Sequence, residues 1–237
     1  MVWPRPILAL VGLLLVTVSC SYTPGAFDNP IARSLTWFSY AGGDGLREAC
    51  GPGARDRIRF VYNGVWDGYL TNAPTQVRTY DVTAVMDGQG AVMATRVFGG
   101  ADMGIIDLGD PFAAPRGRSA EAQLSPREYA ELKRALAESG YFQTPPYGLR
   151  LPSNRFFWLV AGCVDGSFRL NGWLYPSDRF ARLSFPPLLT AVDKTGIPPT
   201  APMDVDRLPP MRDRGPGGGV PVREPSFILQ LGPDRLL

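Results

Sequence analysis

Asp102, Asp107 and Asp110 share a glycine-rich stretch at 99–110, the kind of oxygen-bearing loop that suits calcium. Their spacing departs from the Asp-x-Asp-x-Asp-Gly pattern, and both Gly and Asp turn chains well, so no metal site is expected. The chain contains 22 acidic side chains, enough for a carboxylate pair to assist glycoside cleavage as in an acid-dependent hydrolase. No spacing singles out such a pair. Histidine is missing altogether, which removes Ser-His-Asp and Cys-His catalysis, His-ligated metals and histidine proton relays. Gly217, Gly218 and Gly219 lack the Gly-Lys-Ser/Thr ending of a phosphate loop. Trp66, Trp173 and Tyr175 lie near turns and are candidates for stacking on sugar rings. A non-catalytic protein without a cofactor is the expectation.

The first twenty residues carry a different signal. After a short lead with one charge, Arg5, residues 7–18 are uncharged and almost wholly apolar. A membrane-spanning helix needs ~20 such residues, whereas twelve suit the core of an export signal. Val16-Thr17-Val18-Ser19-Cys20 then places a small residue directly before a cysteine. This resembles the lipobox of bacterial lipoproteins, departing from it at Thr17, where that family prefers Leu. The resemblance implies cleavage before Cys20, lipidation of that cysteine, and a membrane-anchored, periplasm-facing place in the cell envelope. Ordinary signal-peptidase cleavage after Ser19 or Ser21, and a disulfide role for Cys20, are the alternatives. The body of the chain resembles an uncharacterised bacterial lipoprotein.

Cys50 and Cys163 remain as an even pair, and in an exported chain such a pair is most simply a disulfide. With 24 basic against 22 acidic residues, the chain lacks the concentrated positive charge of a nucleic-acid binder.

Hydrophobic spacing outlines the body. Ile31, Leu35 and Phe38 recur at helical spacing, and a helical turn follows at 44–50. From Asp56 the period becomes two. Ile58, Phe60 and Tyr62 alternate with Arg57, Arg59 and Asn63 as a half-buried strand. A second strand is expected at 74–86 and a third at 91–98, joined at Asp87-Gly88-Gln89-Gly90. The stretch 99–120 reads as a loop, with a short strand at Ile105 and Ile106. Ser125, Pro126 and Glu128 form a capping-box signature that starts a helix ending at Gly140. Two strands at 156–163 and 167–175 flank a turn at Asp165-Gly166, and a last helix is expected at 188–194. Hairpins with helices set apart from them indicate α+β, with a single antiparallel-sheet domain, two β-hairpins and flanking helices.

The expected organisation is a signal peptide at 1–19, a tether and helical cap at 20–55, the α+β domain at 56–195, and a tail at 196–237. That tail is rich in Pro and Gly and reads as mostly disordered. Its exception is a strand-like island whose Phe227, Ile228, Leu229 and Leu231 could bind a partner's sheet edge or its own. The functional expectation is an exported interaction or structural protein, bound to the membrane by lipid and to an envelope protein. A cell-wall glycan-binding module using Trp66, Trp173 and Tyr175 is the rival.

Overall fold

The period-two runs fold into one six-stranded antiparallel sheet in the computed structural model, which describes residues 37–66, 76–98, 117–207 and 225–237. The strands are β1 (Arg57–Gly64), β2 (Gln76–Ala84), β3 (Ala91–Phe98), β4 (Arg118–Leu124), β6 (Phe156–Val164) and β7 (Ser167–Leu174). Their spatial order is β4-β3-β2-β1-β6-β7, so β2 and β1 form the middle pair, β3 and β6 flank them, and β4 and β7 are the edges. Two short strands, β5 (Arg150–Pro152) and β8 (Ile228–Gln230), pair separately. The α+β expectation holds.

Local chemistry explains the joints. Asp165 and Gly166 both have positive φ, 50° and 72°, as a two-residue primed turn between β6 and β7 requires. Between β2 and β3, Gly90 has φ 99°, and a Cβ there would lie 2.0 Å from the Leu124 carbonyl oxygen. Only glycine lets this turn pass beside the end of β4. Helix α3 (Pro126–Glu138) starts with the expected capping box. The Ser125 hydroxyl accepts from the Glu128 N–H at 3.3 Å, and the Glu128 carboxylate accepts from the Ser125 N–H at 2.7 Å.

The sheet is covered on both faces over its central strands. One face carries Ile58, Phe60, Tyr80, Met93, Trp158 and Trp173, which pack under α3 and under α5 (Phe185–Val192), the helix that follows the short α4 (Asp178–Ala181). Phe185 is the hub, with ring centroids 5.2 Å from Phe60, 5.2 Å from Trp158 and 5.6 Å from Trp173. Each such side chain contributes ~1.5–3 kcal/mol of burial. The other face carries Val61, Phe157, Leu159, Ala161 and Leu170, covered by α1 (Trp37–Gly42), α2 (Asp44–Glu48) and the β5–β8 pair. A disulfide joins Cys50, just after α2, to Cys163 near the end of β6, with Cα atoms 5.5 Å apart. The helical cap is thereby fastened to an inner strand of the sheet.

Four expectations need correction. The first strand is buried on both sides, because Val61 and Asn63 lie beneath the second layer; Asn63 Nδ2 donates to the carbonyls of Ser153 (2.9 Å) and Arg155 (2.6 Å). The stretch read as a loop ends in β4, which has little β-branched or aromatic character to announce it. The tail is not mostly structureless where it is described. Residues 193–207 cross the first face, held where the Gln76 side chain donates to Pro198 O (3.1 Å) and accepts from Thr200 N (3.0 Å). Phe227, Leu229 and Leu231 are buried in the second core, and β8 pairs with β5 of its own chain. Finally, the last helix begins three residues early, at Phe185. Ile31, Leu35, Ile105 and Ile106 lie outside the described residues.

Candidate functional site

Among the described residues the second layer packs chiefly on β1, β6 and β7, reaching β2 and β3 only at Val77 and Phe98. Over β2, β3 and β4 that face instead presents Thr79, Asp81, Ala94, Arg96, Ser119 and Glu121 around a concavity of about 420 Å³. Strand register aligns these residues in rows: Asp81 opposite Ala94 and Ala94 opposite Glu121, then Thr79 opposite Arg96 and Arg96 opposite Ser119. Arg96, Ser119 and Glu121 are exposed.

One wall is a knot of three side chains. Arg59 lies directly across from Asp81 in the β1–β2 register. Its Nε donates to Asp81 Oδ1 (2.6 Å), its Nη1 donates to the Tyr40 carbonyl (2.8 Å), and its guanidinium carbon stacks 3.5 Å from the Tyr40 ring centroid. The Tyr40 hydroxyl donates to Asp81 Oδ2 (2.5 Å). Burial, and then the nearby Asp81 carboxylate, push the Tyr40 hydroxyl up to about 12. It therefore stays protonated at neutral pH, as a donor and not a base. Both Asp81 oxygens are engaged, so the knot anchors α1 to the sheet and leaves Arg96 and Glu121 to face solvent.

On the opposite face, beside the same edge strand, Leu124, Leu132, Leu188, Ala191 and Val192 line an apolar groove of about 190 Å³ between α3 and α5. Glu128 and Glu131 stand at its rim.

A second polar cluster holds the start of α3 to the sheet. Asp56 accepts from the Asp165 N–H (2.8 Å), the Tyr129 hydroxyl (3.0 Å) and Lys133 Nζ (3.1 Å). Burial alone would raise the Asp56 pKa, but these donors, the Asp165 N–H first among them, bring it below the usual carboxylate range. A carboxylate depressed in the folded state stabilises above its unfolded pKa, and that stability is lost as pH falls through the folded value. Asp56→Asn is thus expected to lower stability at pH 7 and to flatten its decline below about pH 4. Urea unfolding at pH 7 and pH 3 checks this: a variant penalty equal at both pH values contradicts it.

The residues singled out from sequence do not converge. Cys20 lies outside the described residues, as do Asp102, Asp107 and Asp110. Trp173 is fully buried and its Nε1 donates to Ser139 O (3.1 Å), so it cannot stack on a ligand. Tyr175 is half-buried between Phe156 and Phe180. Trp66 packs 5.9 Å from Trp37 and 5.7 Å from Phe227, as part of the second core. Ile228 is half-buried in β8, and the side chains of Phe227, Leu229 and Leu231 are taken up by the chain's own interior.

Sequence reading missed Tyr40, Arg59, Asp81, Arg96 and Glu121. The available signal was the pairing of Arg59 with Asp81 at outward positions of adjacent strands, which emerges only once the register is known. Among the described residues, no three His, Cys, Asp or Glu side chains cluster as metal ligands, and no helix is long and apolar enough to cross a membrane.

Nothing matches the chain among protein-family models, curated proteins or solved structures.

Proposed function

We propose that this is an exported, lipid-anchored protein of the bacterial cell envelope, non-catalytic, whose α+β domain holds a recognition surface near a membrane. The observation that carries the reading is the Cys50–Cys163 disulfide. Disulfides persist in oxidising compartments and are rare in the cytosol of mesophiles. An apolar segment at 7–18 followed by Ser19-Cys20 supplies a route to such a compartment and a residue to carry the lipid. Acyl chains contribute ~0.8 kcal/mol per buried CH₂, so several together hold a protein on a bilayer. The polar concavity and the apolar groove flanking β4 offer two contrasting surfaces side by side, which supports a recognition role.

Cys20→Ser is expected to release the protein from the membrane fraction and to leave the precursor unprocessed. Fractionation and N-terminal mass analysis read both effects. Unchanged membrane association with a mature start at residue 20 or 22 overturns the anchor, while leaving the disulfide to be mapped separately in protein taken from the envelope.

A further inference from the structure

We infer that the free edge of β4 is a docking site for one extended, amphipathic segment of another polypeptide, which adds to the sheet as a seventh strand. This deepens the recognition role proposed above and rests on it only for its biological setting. The ladder fixes which main-chain groups are free. Ala84 N–H donates to Asp56 O on the β1 side of β2, and Val85 N–H donates to Gly90 O on the β3 side. Antiparallel alternation then assigns Ala91, Met93, Thr95 and Val97 of β3 to bonding with Leu124, Ala122, Ala120 and Arg118 of β4. Ser119, Glu121 and Gln123 direct their N–H and C=O groups away from the sheet. All three are exposed, and among the described residues no group bonds to their main chain.

The opposite edge is treated differently. On β7, Gly172 O accepts from Arg179 Nη1 (3.0 Å), Gly172 N–H donates to Asn171 Oδ1 (2.9 Å) and Leu174 O accepts from Ser177 Oγ (2.7 Å). Side chains thus occupy the groups that a further strand would need at Gly172 and Leu174. That end of the β7 edge is closed by its own residues, and β4 has no such cover among the described residues.

The two faces beside β4 specify the occupant. A strand laid along it places alternate side chains above and below the sheet. On one side they meet the polar concavity. There, the residue opposite Glu121 extends the row Asp81, Ala94, Glu121, and a basic side chain answers the free Glu121 carboxylate. Two residues along, an acidic side chain opposite Ser119 lies within reach of Arg96 across that small residue. On the other side the intervening residues point toward the apolar groove bounded by Leu124, Leu188 and Val192. The matching segment alternates aliphatic residues with a basic and then an acidic one. Main-chain bonds supply affinity and the alternating side chains supply choice. A second copy of β4 fits poorly. About its two-fold centre Glu121 would face its own symmetry mate, and Ala120 and Ala122 would leave the groove unfilled.

The test uses the purified, disulfide-intact protein with an acetylated, amidated heptapeptide alternating valine with lysine and glutamate. Amide exchange of Ser119, Glu121 and Gln123 should be fast in the protein alone and slow about tenfold at millimolar peptide, with Gly172 unaffected. A backbone N-methylated peptide should give no protection. Glu121→Lys, an exposed change, should weaken binding about three- to tenfold at unchanged melting temperature. Protection of the three amides without peptide overturns the proposal: independent of protein concentration, it means the chain covers its own edge; dependent on it, a second copy is the occupant. Failure of the peptide to protect, or equal binding by Glu121→Lys, overturns it as well. None of these results bears on membrane fractionation of Cys20→Ser, so either proposal can fail alone.

Discussion

Asp193→Ala is expected to destabilise the fold by about 3–5 kcal/mol, because it strands a buried guanidinium. Arg78 rises from the interior side of β2, is fully buried, and forms an ion pair with Asp193 just past the end of α5. Its other nitrogen donates to the carbonyl of Ile197. Asp193 Oδ1 also accepts from the Thr195 N–H (2.7 Å), so one carboxylate organises the entry of the chain into 193–207. Among the described residues Arg78 Nε and the Tyr80 hydroxyl lack hydrogen-bond partners, and burial, against the neighbouring Arg78 charge, pushes that hydroxyl up to about 12. The neutral Tyr80 hydroxyl offers no charge to replace the lost carboxylate. A double change, Arg78→Met with Asp193→Leu, should recover most of the loss, since a well-packed apolar pair often replaces a buried ion pair without penalty. Urea midpoints of the single and double variants decide it: a single-variant loss below about 1 kcal/mol would show that the pair is not what holds this segment.

Removing the disulfide should have a comparable effect by another route. Cys50 and Cys163 are 113 residues apart, and closing a loop of that size removes about 4–5 kcal/mol of denatured-state entropy in the chain-entropy account. Cys50→Ala with Cys163→Ala is therefore expected to lower the melting temperature by roughly 10 °C or more. The first region to open should be α1 and α2, which that bond fastens to β6. Ala41 would then leave the second core and buried Leu46 would be exposed, while the Tyr40–Arg59–Asp81 knot and the contact of Trp37 with Phe98 of β3 would still tie α1 to the sheet. Melting curves of oxidised and variant protein test the magnitude, and amide exchange in 37–50 tests the location. A variant that melts within a degree or two of the parent contradicts both statements.

What could be read in advance follows the range of the interactions. The capping box at Ser125, the Asp165-Gly166 turn and the strand 91–98 depend on neighbours in sequence, and each is found where the pattern places it. β4 was not legible. Its residues Arg118 to Gln123 have weak strand preference, and only Ala122 and Leu124 are buried, so half a pattern had to stand for a strand. β5 is three residues long and contains Pro152; its partner Ile228 to Gln230 lies far along the chain, and no local rule connects them. The same distance misdirected the reading of Phe227 to Leu231. A hydrophobic island in a Pro/Gly-rich stretch looks available until the face that receives it is known. The candidate surface was hidden for a related reason: Tyr40, Arg59, Asp81 and Glu121 come from four elements and share no motif. The Cys50–Cys163 bond is the exception, a long-range contact readable from parity and compartment alone.

The arrival of β8 sets a timetable for maturation. Gly42 would place a Cβ 3.2 Å from Leu236, Phe38 meets Phe227 edge-on at 5.3 Å, and Arg47 donates to Asp234 O (3.5 Å). The earliest and latest described stretches of the polypeptide therefore close one interior together. A nascent chain with every strand of the large sheet already synthesised would still lack Phe227, Leu229, Leu231 and Leu236 in its second core until residues 227–236 emerged. Final closure thus waits for that segment, and a chain truncated before it would be left as a sticky half-sandwich in place of a folded one.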